Sequence, residues 1–237
     1  MRIDTRQRSL APEVMDDFNM EGEQLKVTLN KIAQINKLLG GNRITLNGVN
    51  TLIKSLPLER EISILDVGCG NGDMLRLLAD VGKRSHRRFR LTGIDANPAT
   101  VTYARELSRA YPQIQYYCQN IMDPDFQEQH FDIILCTLTL HHFQEEEVRL
   151  LVTVFHRQAG IGIVINDLQR SALAYRLFQL IGVVFNLNHM ARNDGQISIL
   201  RGFRKKELHQ LAAELHIGAY SLQWKWAFRY QWIINTI

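Results

Sequence analysis

The feature that most constrains this chain is a strand-like run ending near an acidic residue and breaking at once into glycines. Ile62-Ser63-Ile64-Leu65-Asp66-Val67 leads into Gly68-Cys69-Gly70-Asn71-Gly72 and then into a helical stretch. Glycines so placed permit positive φ and let a ligand approach the backbone, and the helix that follows presents unpaired N–H groups. From residue 62 onward, short β-rich runs alternate with helical ones: ISILDV, a helix to Val81, LTGID, a helix over 98–110, IQYYCQ, FDIILCTL, a helix over 145–157, and IGIVIND. That alternation predicts right-handed βαβ units around a parallel sheet. Asn97 is placed to cap the helix after LTGID, with Pro98 in its first turn, where a missing N–H costs nothing.

After a helical segment near 204–215, IGAYSLQWKW and FRYQWIINTI read as a closing antiparallel pair turning at Ala227. The expected fold is therefore α/β and Rossmann-like, a seven-stranded, mostly parallel sheet with one antiparallel C-terminal strand and helices on both faces. Residues 10–40 carry apolar positions at helical spacing, among them Leu25, Leu29, Ile32 and Ile35, up to Gly40-Gly41. They predict a helical N-terminal extension, residues 1–55, that covers the site as a lid. Residues 56–237 form the main domain, with a substrate-covering insertion around 170–203. Within it, Asn186 to Asp194 and Ile197 to Phe203 interrupt the alternation. The preceding run of Phe178, Leu180, Ile181, Val183, Val184 and Phe185 would make an apolar roof.

An apolar content of 46% suits one packed core, and the net charge of +4 neither demands nor excludes an anionic partner. Cys69, Cys118 and Cys136 form no CxxC pair, so they are read as reduced and the protein as cytoplasmic. No window reaches the roughly 18 uncharged residues of a membrane span. The greasiest stretch, Ala172 to Leu187, is broken by Arg176 and Gln179. Oligomeric state, monomer or homodimer, stays open.

A GxGxG loop alone is shared by nucleotide binders of several chemistries, and its context narrows the ligand. Asp95 ends the next strand, where in an open α/β sheet an acidic side chain can accept both ribose hydroxyls. Asp66 would repel a phosphate but suits a cationic amino-acid group, while the helix N-terminus nearby favours a carboxylate. An adenosine carrying a methionine-like zwitterion satisfies both.

LDVGCGNG together with IDANP resembles the first two motifs of the class I S-adenosylmethionine-dependent methyltransferases, and the similarity covers roughly residues 60–170. The resemblance implies S-adenosyl-L-methionine as cofactor and S-adenosyl-L-homocysteine as product. It implies that Gly68, Cys69, Gly70 and Gly72 line the methionine end and that Asp95, with Ala96, holds the ribose. Asn120, beside Ile121 in YYCQNI, matches the position that reaches the adenine amino group. The segments RSLAPEVMDD, INKLLGG, INDLQRSALAYRLF and RNDGQISILRGF are similar to bacterial small-molecule methyltransferases associated with aromatic polyketide or quinone-like compounds, the ubiquinone and menaquinone biosynthesis enzymes among them.

FDIILCTLTLHHF runs to the same crevice, so Thr137 should flank the methionine and His141 and His142 should face the acceptor. An imidazole there can take the proton that a phenol or enol loses, with His142 the first choice as base. Asp167 and Arg170 are substrate-side candidates. No metal is expected, because no carboxylate/histidine cluster shows ligand spacing. The expected reaction is O-methylation of a small hydrophobic aromatic acceptor. A nucleic-acid methyltransferase is the alternative, motivated by an isoelectric point near 9.0 and by the basic run from Lys83 to Arg90. That run, however, falls on the amino-terminal side of the sheet. A non-catalytic cofactor-binding protein is the alternative from another functional class.

Overall fold

The computed structural model describes residues 3–185 and 187–237; Asn186, within the expected insertion, lies outside the described residues. Seven strands form one sheet: β1 (Ile62–Val67), β2 (Phe89–Asp95), β3 (Ile114–Cys118), β4 (Phe131–Thr137), β5 (Ala159–Leu168), β6 (Tyr220–Lys225) and β7 (Arg229–Asn235). Their order is β3-β2-β1-β4-β5-β7-β6. The first five strands are mutually parallel, and β7 runs against both of its neighbours. It is the single antiparallel strand expected at the C-terminus.

All six residues of β1 are buried, as befits an apolar run covered on both faces. On one face the core gathers Val148, Leu151, Phe155, Leu208, Leu211 and Trp232, and on the other Val49, Leu52, Leu75, Leu78 and Val101. The helices are α1 (Glu23–Leu38), α2 (Gly41–Ile53), α3 (Asp73–Ser85), α4 (Pro98–Leu107), α5 (Glu145–Gln158), α6 (Ala172–Val184), α7 (His189–Arg201) and α8 (Lys205–Glu214); α2, α3, α4, α5 and α8 supply these side chains, and β7 supplies Trp232. Asn97 caps α4 by accepting from the Thr100 N–H at 2.9 Å, ahead of Pro98. In α5, Glu145 to Glu147 occupy the first turn and His156 and Arg157 the last, matching the helix dipole.

The N-terminal region departs from expectation. The helix begins at Glu23 rather than near residue 10, and a short 3-10 turn, Val14–Asp16, is the only helical piece before it among the described residues. Gly22 at φ +85° starts the helix, a conformation that a glycine adopts without strain. α1 ends at Leu38, just before Gly40 as expected, and Gly40, also left-handed, leads straight into α2. That helix packs so closely on the sheet that a Cβ at Gly48 would lie 2.5 Å from Val164.

The segment expected to interrupt the alternation around 186–203 instead forms helix α7. Its inward positions include Asp194 and Arg201 beside Met190 and Ile199, so no apolar stripe marks it in the sequence. Among the described residues, no helix is long and apolar enough to cross a membrane.

Candidate active site

The sheet order reverses between β1 and β4, and the crevice at their carboxyl ends is where an open α/β sheet takes its ligand. A cavity of about 860 Å³ opens there. Gly68, Gly70 and Gly72 all adopt positive φ. A Cβ at Gly68 would sit 2.5 Å from Thr139 Oγ1, whereas one at Gly70 would meet only Leu29, at 3.8 Å. The loop therefore leaves open space at its tip.

Asp66, Gly68, Cys69, Gly70, Asp95, Ala96, Asn120, Ile121 and Thr137, expected from the sequence to hold the cofactor, all line this cavity. Gly72 does not. It precedes α3 and lies against Tyr116, whose hydroxyl is 2.1 Å from where a Cβ would be, so its role is to pack the helix start.

Asp95 accepts from the N–H groups of Gly70 at 3.1 Å and Asn97 at 3.0 Å, which aims it at the loop. Burial pushes its carboxyl above the ordinary range, with those two N–H bonds opposing. Asp66 is held well above its ordinary value, by burial first and then by the neighbouring charges of Asp73 and Asp95. Neither Asp66 nor Asp95 has an ion-pair partner among the described residues. The result is a pair of buried carboxyls without a cation, whose ionised form a cationic ligand group would favour. Asn120 accepts from the Met122 N–H at 3.0 Å, so its oxygen already caps a turn while the residue lines the wall.

The two histidines sit on a 3-10 turn, Leu140–His142, directly after β4. His141 Nδ1 lies 2.7 Å from Asp167 Oδ1, and its backbone N–H donates to the same carboxylate at 3.2 Å. His142 Nδ1 lies 2.7 Å from Asp16 Oδ1. Asp16 also accepts from Arg201 at 2.6 Å. Although burial opposes ionisation of Asp16, the bonds from His142 and Arg201 together hold its carboxyl below the ordinary range. Arg8 clamps the turn from outside by donating to the carbonyls of His141 and Phe143 at 2.9 and 2.8 Å. Each imidazole is thus fixed through one nitrogen by a carboxylate, the arrangement that sets tautomer and ring direction.

Glu13 completes this rim. It is 6% exposed, and its Oε1 has no hydrogen-bond partner while lying 3.8 Å from His141 Nε2 and 3.9 Å from His142 Nδ1. Burial raises its carboxyl to about 7, against the pull of His142, Ser198 and Arg201. The turn that carries Glu13 and Asp16 is held in place because Val14 and Met15 donate their N–H groups to Asp194 of α7, at 3.0 and 3.2 Å.

Ligand atoms of Glu13, His141 and His142 lie within 4.8 Å of one another, a group that could hold a metal ion. No metal is expected from local spacing, because Glu13 stands more than 120 positions before the adjacent histidines. Glu13 and Asp16 are likewise missed as site residues. Their only signal was an acidic, proline-containing stretch at the front of an apolar helix.

Two expectations are corrected. Asp167 is buried against His141 and does not line the cavity; its carboxylate holds the His141 ring at Nδ1. Arg170 is also buried away from the cavity. It donates to the carbonyls of Gly202 at 2.6 Å and Thr5 at 2.9 Å and pairs with Glu207, tying β5 to α8. The apolar roof is largely as expected: Phe178, Leu180, Ile181, Val184 and Phe185 line the cavity, while Val183 is 66% exposed. The basic run lies at the opposite edge of the sheet, where Arg87 ties down the carbonyls of Ile53, Leu56 and Pro57.

Comparison with known proteins agrees with this geometry. Residues 64–159 match the methyltransferase-domain family. Over 98 residues the chain is 31% identical to a malonyl-[acyl-carrier protein] O-methyltransferase of Acetivibrio thermocellus, covering 40% of this chain and 32% of that protein. Over 157 residues it is 24% identical to a ubiquinone biosynthesis O-methyltransferase of Rickettsia typhi, covering 66% and 60%. The matches thus span about a third to three-fifths of those relatives. Among solved structures, the plantazolicin methyltransferase BamL with a triazolic desmethylPZN analog and SAH superposes with a TM-score of 0.66 at 17% identity, over 90% of this chain and 91% of that one. With the glycine loop, the acidic strand end and the sheet order all in agreement, the chain carries a methyltransferase domain of the class I S-adenosylmethionine-dependent kind over residues 64–159.

Proposed function

We propose that this protein transfers the methyl group of S-adenosylmethionine to an oxygen of a small hydrophobic aromatic acceptor of phenolic, quinol or polyketide-like type. One observation carries the reading: a histidine held by a carboxylate, His142 with Asp16, borders a cavity whose roof is apolar and whose other end is the glycine loop with Asp66 and Asp95. The residues fit the cofactor. The loop leaves space at Gly70, and buried Asp66 has no cation of its own. Gly68, Cys69, Gly70 and Thr137 would receive the methionine end, Asp95 and Ala96 the ribose, and Asn120 and Ile121 the adenine. When bound, the cofactor supplies an electrophilic sulfonium methyl.

The chain's own contribution is alignment, exclusion of water and proton removal. Leu177, Phe178, Ile181 and Phe185 would hold an aromatic ring out of water from above, and Leu25, Leu29 and Ile32 of α1 from the side. With Nδ1 donating to Asp16, His142 would take the acceptor's hydroxyl proton on Nε2 as the oxygen attacks. His141 and Asp167 fix the turn that carries His142.

The same arrangement supports residues 1–55 acting as a cover over the site, since Glu13, Asp16, Phe18 and the inner side of α1 line the cavity. A panel of phenols, quinols and short RNAs with a labelled methyl donor tests the acceptor class. Label in phenols or quinols is expected, and label in RNA alone overturns it.

A further inference from the structure

Arg229 opens β7 opposite Leu168, the last residue of β5. Its side chain is 4% exposed and lines the cavity, yet its Nε and Nη1 have no hydrogen-bond partner among the described residues. Among the described residues no carboxylate lies within ion-pair distance of it; Asp167, whose charge supports it from farther off, is already engaged by His141. Burial pulls the guanidinium down to about 10, and it remains a cation at neutral pH. A buried, always-charged planar fork with free donors is built to meet a planar anion, and a carboxylate fits it by two parallel bonds.

The surroundings add to the positive field. Gly41, first residue of α2, lies so near that a Cβ there would be 3.1 Å from Arg229 Cζ, and a helix N-terminus carries partial positive charge. Position indicates which part of a bound pair the anion belongs to. Along the sheet, β7 is three strands from β1, about 14 Å at the usual spacing. The glycine loop and Asp66 belong to β1. Around the start of β7 the cavity wall is instead Leu168, Gln169, Trp226 and Phe228, beyond β5 and on the acceptor's side.

We propose that Arg229 is the anchor for a carboxylate on the acceptor, so that the substrate is an aromatic hydroxy acid rather than a neutral phenol. This rests on the aromatic-acceptor reading above and narrows it. The other source of a carboxylate in this cavity is the methionine end of the cofactor, and the experiment separates the two.

Binding of 3-hydroxy-2-naphthoate and of 2-naphthol to the full chain saturated with S-adenosylhomocysteine is measured for wild type, Arg229→Gln and Arg229→Lys. S-adenosylhomocysteine and 5′-methylthioadenosine, which lacks the amino-acid carboxylate, are titrated against the same three proteins. Wild type should bind the hydroxynaphthoate at least tenfold more tightly than naphthol. Arg229→Gln should erase that preference, Arg229→Lys should keep part of it, and both should bind the nucleosides as wild type does. If Arg229→Gln weakens S-adenosylhomocysteine but not methylthioadenosine, the carboxylate is the cofactor's and the proposal is overturned. Naphthol binding with no preference for the acid in wild type overturns the anchor alone, even if neither variant folds. Binding of neither aromatic, with the nucleoside still bound, overturns the aromatic reading and the anchor with it.

Discussion

The carboxyl of Glu13 is the residue whose setting has the plainest consequence. In the folded chain it titrates at about 7 against an ordinary 4.5, so between those values the folded state holds a proton that the unfolded chain has released. Stability contributed by this group therefore falls as pH rises, by at most about 3 kcal/mol. Replacing Glu13 by Gln removes the buried charge. The variant's Tm should match wild type near pH 5 and exceed it at pH 8, and a difference that stays constant with pH would contradict the assignment. At His142, substitution by Ala or by Gln should lower kcat by about 10²-fold or more at unchanged S-adenosylhomocysteine affinity, since a general base is lost. Retained turnover would remove His142 from that role. His141 and His142 were legible from their place after β4. Asp16 and Glu13 were not, because nothing in a linear sequence announces that residues 13–16 will be held against α7 by Asp194.

Among the elements, the start of α3 is the most exacting. Gly72 stands at φ +78° with Tyr116 Oη where a Cβ would go, so Gly72→Ala meets both a strained backbone and a clash. It should lose about 2–4 kcal/mol of stability, read as a lower urea midpoint at unchanged slope. An unshifted midpoint would mean that the tyrosine moves aside freely. Strands β1 to β5 were legible because each is a short apolar run between turn signals, and α4 because Asn97-Pro98 marks its first turn. Helices α2 and α7 were not. Gly48 lets α2 sink onto β5, and α7 turns Asp194 and Arg201 inward to hold the N-terminal turn. A helix that buries polar side chains for a tertiary purpose has no apolar stripe by which to recognise it.

For the whole molecule, the sheet order, the buried carboxyls of Asp66 and Asp95, and the apolar roof form one continuous cavity with two chemically different ends. The sequence marked the polar end clearly, since glycine and acidic residues are there for local backbone and charge reasons. The apolar end is assembled from α1, α6 and the β6–β7 turn, distant stretches whose convergence only the fold reveals. Ligand binding at the polar end should raise Tm in step with concentration, because only the folded chain carries the site. The most direct measurement is calorimetric titration of S-adenosylhomocysteine into wild type and Asp95→Ala. The expected result is one site with Kd of about 1–100 μM, weakened at least tenfold in the variant. No binding up to about 1 mM in a folded wild-type protein would contradict it.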